Sequence, residues 1–171
     1  MSCQRFFGKY RGTVINNIDP KNENRILAMV PSVSQLLPTS WCTPCLPLAG
    51  RLSGASLVPQ VGAGVWIEFE GGDPDYPIWT GCFYGTSAER PRDASGGTPV
   101  TPSIVFQGQF LHSITVNDLP PPAGGIELKS VGGAKIIVND IGITIDNGKG
   151  ASITLFGPIV KINNTSLVIT G

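Results

Sequence analysis

The stretch VWIEFEGGDPDYPIWTGCFY, residues 65–84, combines two runs of β-branched and aromatic residues with a turn-forming centre. The two runs are residues 65–70 and 78–84, and the segment Gly71-Gly72-Asp73-Pro74-Asp75 separates them. Val, Ile, Trp, Phe and Tyr favour strands, whereas Gly, Pro and Asp favour turns. The stretch therefore predicts a β-hairpin.

Two further strand signals precede this hairpin. Residues 10–18 are rich in β-branched side chains and lead into Asp19-Pro20, and residues 25–30 stop at Pro31, which has no N–H to donate to a ladder. Residues 32–54 are interrupted by proline and predict an irregular strand at most. Five short strands with Gly and Pro at the corners suit a small closed barrel such as the OB-fold. We predict that this domain covers residues 1–85.

The second half of the chain has a different texture. Residues 86–102 show no apolar periodicity and predict a linker, whereas residues 103–171 contain apolar pairs at i and i+2 between Gly- and Asn-rich turns. Such a short recurring unit is a repeat signature. The pairs are Ile104 with Phe106, Ile114 with Val116, Ile126 with Leu128, Ile136 with Val138, Ile143 with Ile145, Ile153 with Leu155, Val160 with Ile162, and Leu167 with Ile169.

A strand with one two-residue apolar face cannot bury that face alone, because full burial of an Ile or Leu, worth about 1.5–3 kcal/mol, needs cover from several sides. Either one chain stacks rungs on itself as a solenoid, or three chains each supply one wall of a prism. The short, drifting repeat favours the prism. The predicted fold is all-β, with an N-terminal OB-fold barrel followed by an intertwined trimeric β-helix or β-prism needle. The predicted trimer core comprises Ile136, Val138, Ile143, Ile145, Ile153, Leu155, Ile162, Leu167 and Ile169.

Charge and composition exclude several classes of protein. Twelve Lys and Arg balance twelve Asp and Glu, so no global field recruits polyanions or anionic lipid. The first ten residues lack the apolar core of a signal peptide, and no window approaches the ~20 apolar residues that span a bilayer. We therefore expect synthesis in the cytoplasm, where the four cysteines, Cys3, Cys42, Cys45 and Cys82, would remain thiols.

Residues 58–81, VPQVGAGVWIEFEGGDPDYPIWTG, resemble phage baseplate assembly protein V and the OB domain of type VI valine-glycine repeat spike proteins. Residues 8–14 and 40–50 are similar to other parts of that OB domain, and residues 132–155 are similar to the family's trimeric β-helical needle. The resemblance implies a homotrimeric structural spike in the baseplate of a phage tail, a tailocin or a related contractile injection system. Its OB barrels would dock on a hub protein, and its needle would contact and pierce the target membrane when a sheath contracts.

The resemblance also bears on accessory features. Some relatives carry a lysozyme domain between barrel and needle, and others bind iron through an apical His-x-His pattern. The linker of residues 86–102 is too short for such a domain, and His112 is the only histidine. We therefore expect no enzymatic activity, no cofactor and no metal. Residues 163–171 end on an apolar strand without a cap, so we expect a separate tip protein of the proline-alanine-alanine-arginine (PAAR) repeat type.

One cysteine pair invites a metal hypothesis. Residues 42–45 form a CxxC motif, and zinc would need two further ligands, for which only Cys3, Cys82 or His112 could serve. Buried thiols beside Trp41 are the simpler interpretation, because unpaired cysteine is among the residues most often buried.

His112 and the acidic turn allow similar alternatives. Three copies of His112 could meet on a trimer axis, but a structural hydrogen bond is the preferred interpretation. Asp73 and Asp75 could serve as an acid/base pair or as calcium ligands, yet a hairpin turn explains both more simply.

The sequence is also compatible with two rival functions. A nucleic-acid-binding OB protein would use aromatic side chains such as Trp66, Trp79 and Tyr84 as a stacking platform. No Lys or Arg lies between Arg51 and Arg90, so the basic footprint that such binding needs is absent, and we expect no nucleic-acid partner. A carbohydrate-active β-solenoid would need charged residues clustered on one face, whereas those of residues 103–171 are scattered.

Overall fold

The computed structural model describes residues 4–164 and 166–170 of the chain, and the described part is built from strands and short 3-10 turns. The chain divides into two compact units, Met1–Glu89 and Arg90–Gly171, and each unit is considered by itself. The predicted all-β class is confirmed. No helix in the described ranges is long and apolar enough to cross a membrane.

The N-terminal unit contains one five-stranded sheet and a separate small hairpin. The sheet has the strand order β2-β1-β6-β7-β3, in which only the β3–β7 pair is parallel, and β4 pairs with β5. The strands are β1 Tyr10–Asn16, β2 Leu27–Met29, β3 Thr43–Pro44, β4 Ala49–Gly50, β5 Ser53–Gly54, β6 Gly64–Phe69 and β7 Pro77–Phe83. The predicted hairpin is β6–β7, and the two strand signals that precede it form the antiparallel pair β1–β2.

The core of this unit follows from the alternation of side chains along its strands. In β6, Val65, Ile67 and Phe69 point inward, because successive side chains of a strand point to opposite faces. Trp79 of β7 is 4% exposed, and its indole N–H donates to the Asn24 carbonyl at 3.1 Å, which satisfies the one polar atom that the ring buries. The nine buried apolar residues are Val14, Ile26, Ala28, Val30, Cys42, Val65, Ile67, Phe69 and Trp79.

A buried ion pair fixes the loop between β1 and β2. The Asp19 carboxylate accepts hydrogen bonds from the Arg25 guanidinium, the shortest at 2.6 Å, and from the backbone N–H groups of Lys21, Glu23 and Arg25. The Arg25 hydrogen bond is the main reason that the pKa of Asp19 lies well below its usual range. The Asp-Pro turn predicted from the sequence is therefore held by charge-assisted bonds as well as by backbone preference.

The C-terminal unit is an eight-stranded antiparallel meander. Each strand pairs with its neighbours in sequence, from β8 at one margin to β15 at the other. The strands are β8 Ile104–Gln107, β9 Ser113–Asn117, β10 Gly125–Lys129, β11 Lys135–Asn139, β12 Gly142–Asp146, β13 Ser152–Phe156, β14 Ile159–Ile162 and β15 Leu167–Thr170. Each of the eight predicted apolar pairs lies on one of these eight strands.

Asn and Gly residues close the turns of this meander. The Asn139 side-chain oxygen accepts from the N–H groups of Ile141 and Gly142, and the Asn147 side-chain oxygen accepts from those of Lys149 and Ala151. These local bonds explain why the sequence places Asn-rich segments between the apolar pairs.

Candidate functional site: an exposed apolar sheet face

Two columns of apolar side chains run across one face of the C-terminal sheet. The registers of the seven strand pairs place each i, i+2 pair directly opposite the next, so the columns continue without interruption through all eight strands. We call this surface the apolar face. The first column is Ile104, Val116, Ile126, Val138, Ile143, Leu155, Val160 and Ile169, and the second is Phe106, Ile114, Leu128, Ile136, Ile145, Ile153, Ile162 and Leu167.

Within one chain the apolar face is more exposed than the polar face behind it. Ile126 is 48% exposed and Ile169 is 54% exposed, whereas Ser113 and Thr115 on the other face are 6% and 8% exposed. Eight strands about 4.8 Å apart, each about 17 Å long, give the face roughly 34 by 17 Å, or about 580 Å², which is at the upper end of the range for the largest apolar patch on a monomer. A contiguous apolar surface of this size is typical of an interaction site.

The structure places all nine residues of the predicted trimer core on the apolar face. Sequence reasoning left out seven further residues of the same face, although each belongs to an apolar i, i+2 pair of the same kind. The pairing rule, applied from the first strand onward, would have included them. They are Ile104, Phe106, Ile114, Val116, Ile126, Leu128 and Val160.

The segment predicted as a linker supplies cover for the polar face. Arg92–Gly96 forms a 3-10 turn, and the Asp93 carboxylate accepts hydrogen bonds from the Ser113 hydroxyl at 2.6 Å and the Lys129 ammonium at 3.1 Å. These two bonds, Ser113 first, hold the pKa of Asp93 below its usual range. Because this segment lies on the polar side of β9 and β10, it leaves the apolar face open.

The two cysteines of the CxxC motif do not converge on one site. Cys42 is fully buried beside Thr39, and burial raises the pKa of its thiol to about 11. Cys45 is exposed, so the expectation that both thiols are buried is wrong for Cys45. The two cysteines flank the two-residue strand β3 on opposite sides. Cys3 lies outside the described residues.

The other candidate ligands also have structural surroundings. The Asp73 carboxylate accepts from the Asp75 N–H at 3.2 Å and from the Arg5 guanidinium at 3.4 Å, as expected of a turn former. His112 is exposed in the β8–β9 turn, where its carbonyl accepts from the Gly108 N–H. Among residues 4–164 and 166–170, no three His, Cys, Asp or Glu side chains cluster in a way that could hold a metal ion.

The aromatic side chains of the barrel do not form a stacking platform. Trp79 belongs to the core, and Trp66 lies against Phe83, with ring centroids 5.0 Å apart. The Arg11 guanidinium covers both rings, 4.9 Å from the Trp66 centroid and 4.6 Å from the Phe83 centroid. Only Tyr84 of the three suggested residues presents an exposed and uncovered ring.

Comparison with known protein families finds two matches, which together cover most of the chain. Residues 10–84 match the family model described as the type VI secretion system/phage-baseplate injector OB domain. Residues 103–168 match the model described as the phage baseplate V C-terminal trimerisation domain. The second match coincides with the sheet that carries the apolar face. Among curated proteins no relative matches the chain.

Proposed function

Because this chain belongs to the phage baseplate V family, we propose that it is the structural central spike of a contractile injection apparatus and acts as a homotrimer. The observation that carries the proposal is the uninterrupted apolar face of the C-terminal sheet, which lies in the part matched by a trimerisation domain. Three such faces turned toward a common axis would bury one another.

The dimensions of the sheet favour three copies. Strands of five residues are about 17 Å long, and an equilateral triangle with sides of about 17 Å has its centre about 5 Å from each side. Facing sheets pack about 10 Å apart, so each backbone ordinarily lies about 5 Å from the middle of a core. Three walls therefore fill their axis with side chains, whereas four walls would stand about 8.5 Å from the axis and leave a void.

This arrangement suits a part that transmits force. Every strand of a wall except the first and the last is paired on both sides, so the shaft presents no unpaired sheet edge along its length. The shaft unfolds only when three chains separate. We infer a passive piercing function in a phage tail or phage-tail-like baseplate, with transient contact to the target membrane. The function requires stiffness and no catalytic group.

The proposal includes two protein partners. The OB domain would dock on the baseplate hub protein. In the C-terminal unit β15 has a hydrogen-bonded neighbour strand on one side only, so the backbone along its other edge is open to a partner. A tip protein of the PAAR-repeat type that contacts three such strands would cover this end of the shaft. No nucleic-acid partner is proposed.

Two measurements test the proposed function. Native mass spectrometry of the purified full chain should give three chain masses, and a stable monomer would contradict the trimer. In intact contractile particles, an epitope tag on this chain should label the baseplate at the particle axis, and deletion of its gene should abolish injection. Particles that assemble and inject normally without the chain would rule out the spike function while leaving the oligomeric state intact.

A further inference from the structure

The two lateral edges of the C-terminal sheet differ in their turns, because a meander reverses direction alternately at one edge and the other. Residues 108–112, 130–134 and 147–151 follow β8, β10 and β12 and form what we call the even edge. Residues 118–124, 140–141 and 157–158 follow β9, β11 and β13 and form the odd edge. Along the direction in which the strands follow one another, each turn on one edge therefore lies midway between two turns on the other edge.

Both edges expose large apolar side chains, although turns are usually polar. On the even edge, Phe110 is 75% exposed and Val131 is 61% exposed. On the odd edge, Ile141 is 44% exposed, and Phe156, at the end of β13, is 51% exposed. None of these four residues belongs to the two columns of the apolar face, so burial of that face alone leaves them uncovered.

The two edges also carry opposite charge. The odd-edge turns contain Asp118 and Asp140, both exposed, and no Lys or Arg. On the even edge, Lys149 lies in a turn. Lys135 begins β11 directly opposite Asp146, and Lys129 ends β10 and binds the Asp93 carboxylate, so each of these two pairs is neutral as a whole. Complementary charges favour contact between unlike edges and disfavour contact between like edges.

We propose that the even edge of one copy joins the odd edge of the next, and that three such seams close the prism at its corners. This inference rests on the proposed homotrimer and specifies which surfaces of the copies meet. In a ring with three-fold symmetry each contact is heterologous, so two different surfaces must be complementary, as these edges are in charge and in apolar character. The offset of one strand spacing between the edges lets the even-edge turn with Val131 lie between the odd-edge turns that carry Asp118 and Ile141. A two-sheet sandwich would leave both edges open.

Cross-linking between copies tests the seam. In a chain whose Cys3, Cys45 and Cys82 are replaced by serine, Val131→Cys and Ile141→Cys are introduced together, and the sample is treated with a short bis-maleimide. The expected product in denaturing electrophoresis is a covalent trimer. The matched control combines Val131→Cys with Phe110→Cys, which places both thiols on the even edge and should give almost no species larger than a monomer.

The outcomes separate the seam from the trimer itself. If native mass spectrometry gives a trimer but the control pair cross-links as well as the mixed pair, the seam is wrong and the homotrimer stands. If the serine-substituted parent and all of its variants are monomeric, the homotrimer itself is contradicted. A second measurement uses charge reversal: Lys149→Glu and Asp140→Lys should each weaken the trimer several-fold at low salt, and the double variant should recover most of that loss. Additive losses in the double variant would overturn the pairing of the edges.

Discussion

Replacement of Ile145 by Asp is the sharpest test of the apolar face. Ile145 lies in the middle of the second column, opposite Ile136 on one side and Ile153 on the other. It remains 44% exposed in one chain, and since full burial of an Ile contributes about 1.5–3 kcal/mol, covering the rest is worth about 1 kcal/mol. Three copies in a trimer therefore lose about 3 kcal/mol of apolar burial.

The introduced carboxylates add a larger penalty. Three Asp side chains would face one another near the axis, where burial of an unpaired ion costs several kcal/mol each. The total is on the order of 10 kcal/mol, which corresponds to about seven factors of ten in the association constant. We expect Ile145→Asp to be monomeric by sedimentation velocity at concentrations where the wild-type chain is trimeric.

The adjacent Thr144→Asp variant is the matched control. Thr144 points to the opposite face, where its cross-strand neighbours are Ile137 and Thr154, so a carboxylate there meets no acidic partner directly across the strand and stays in contact with water. This variant should remain trimeric. A trimeric Ile145→Asp, or equal disruption by both substitutions, would refute the assignment of the apolar face to the interior.

Three further predictions concern single side chains. Trp79→Phe should destabilise the N-terminal unit by about 1–3 kcal/mol in urea unfolding, because the Asn24 carbonyl loses its donor and the smaller ring leaves a gap in the core. A maleimide probe at pH 8 should label Cys45 rapidly and Cys42 only in denaturant, as a buried thiol whose pKa is raised to about 11 predicts; mass spectrometry of the labelled peptides would reveal the opposite order. Asp93→Asn should destabilise the C-terminal unit at neutral pH. Because the folded pKa of Asp93 is depressed, its stabilising bond to Lys129 is present above about pH 4 and is lost as the pH falls through the lower folded value, so wild type and variant should converge in acid thermal melts.

The strand pattern was accessible from the sequence because it depends on local alternation. Along β6, buried residues alternate with half-buried ones: Val65, Ile67 and Phe69 are buried, and Trp66 and Glu68 lie between them. The same alternation predicted the apolar pairs of the C-terminal sheet. The rule reaches its limit where the chain is irregular. Whether Cys45 joins Cys42 in the core depends on the path of a two-residue strand, which no periodicity records.

The role of Asp93 could not be read from the sequence for a related reason. A segment rich in Gly, Pro and charged residues has no apolar period, and its position is set by two partners that lie 20 and 36 residues further along the chain. Bonds of this kind depend on the tertiary structure. The apolar columns are different, because the i, i+2 period of each apolar pair is visible in the local sequence. The registers of successive hairpins then place each pair opposite the next, which makes the columns continuous.

The meander connectivity of the C-terminal sheet also sets the order of events in assembly. Since each ladder joins strands that are consecutive in sequence, the contact order of this unit is low, and sheets of that kind form faster than those built from distant segments. In the proposed trimer, the ladders of each wall can therefore form before the wall meets another copy, and encounter between chains becomes the concentration-dependent step. Until that encounter, the apolar face is formed but exposed to solvent. The yield of shafts should thus depend on how quickly copies find each other, which favours production of the three chains close together in time and space.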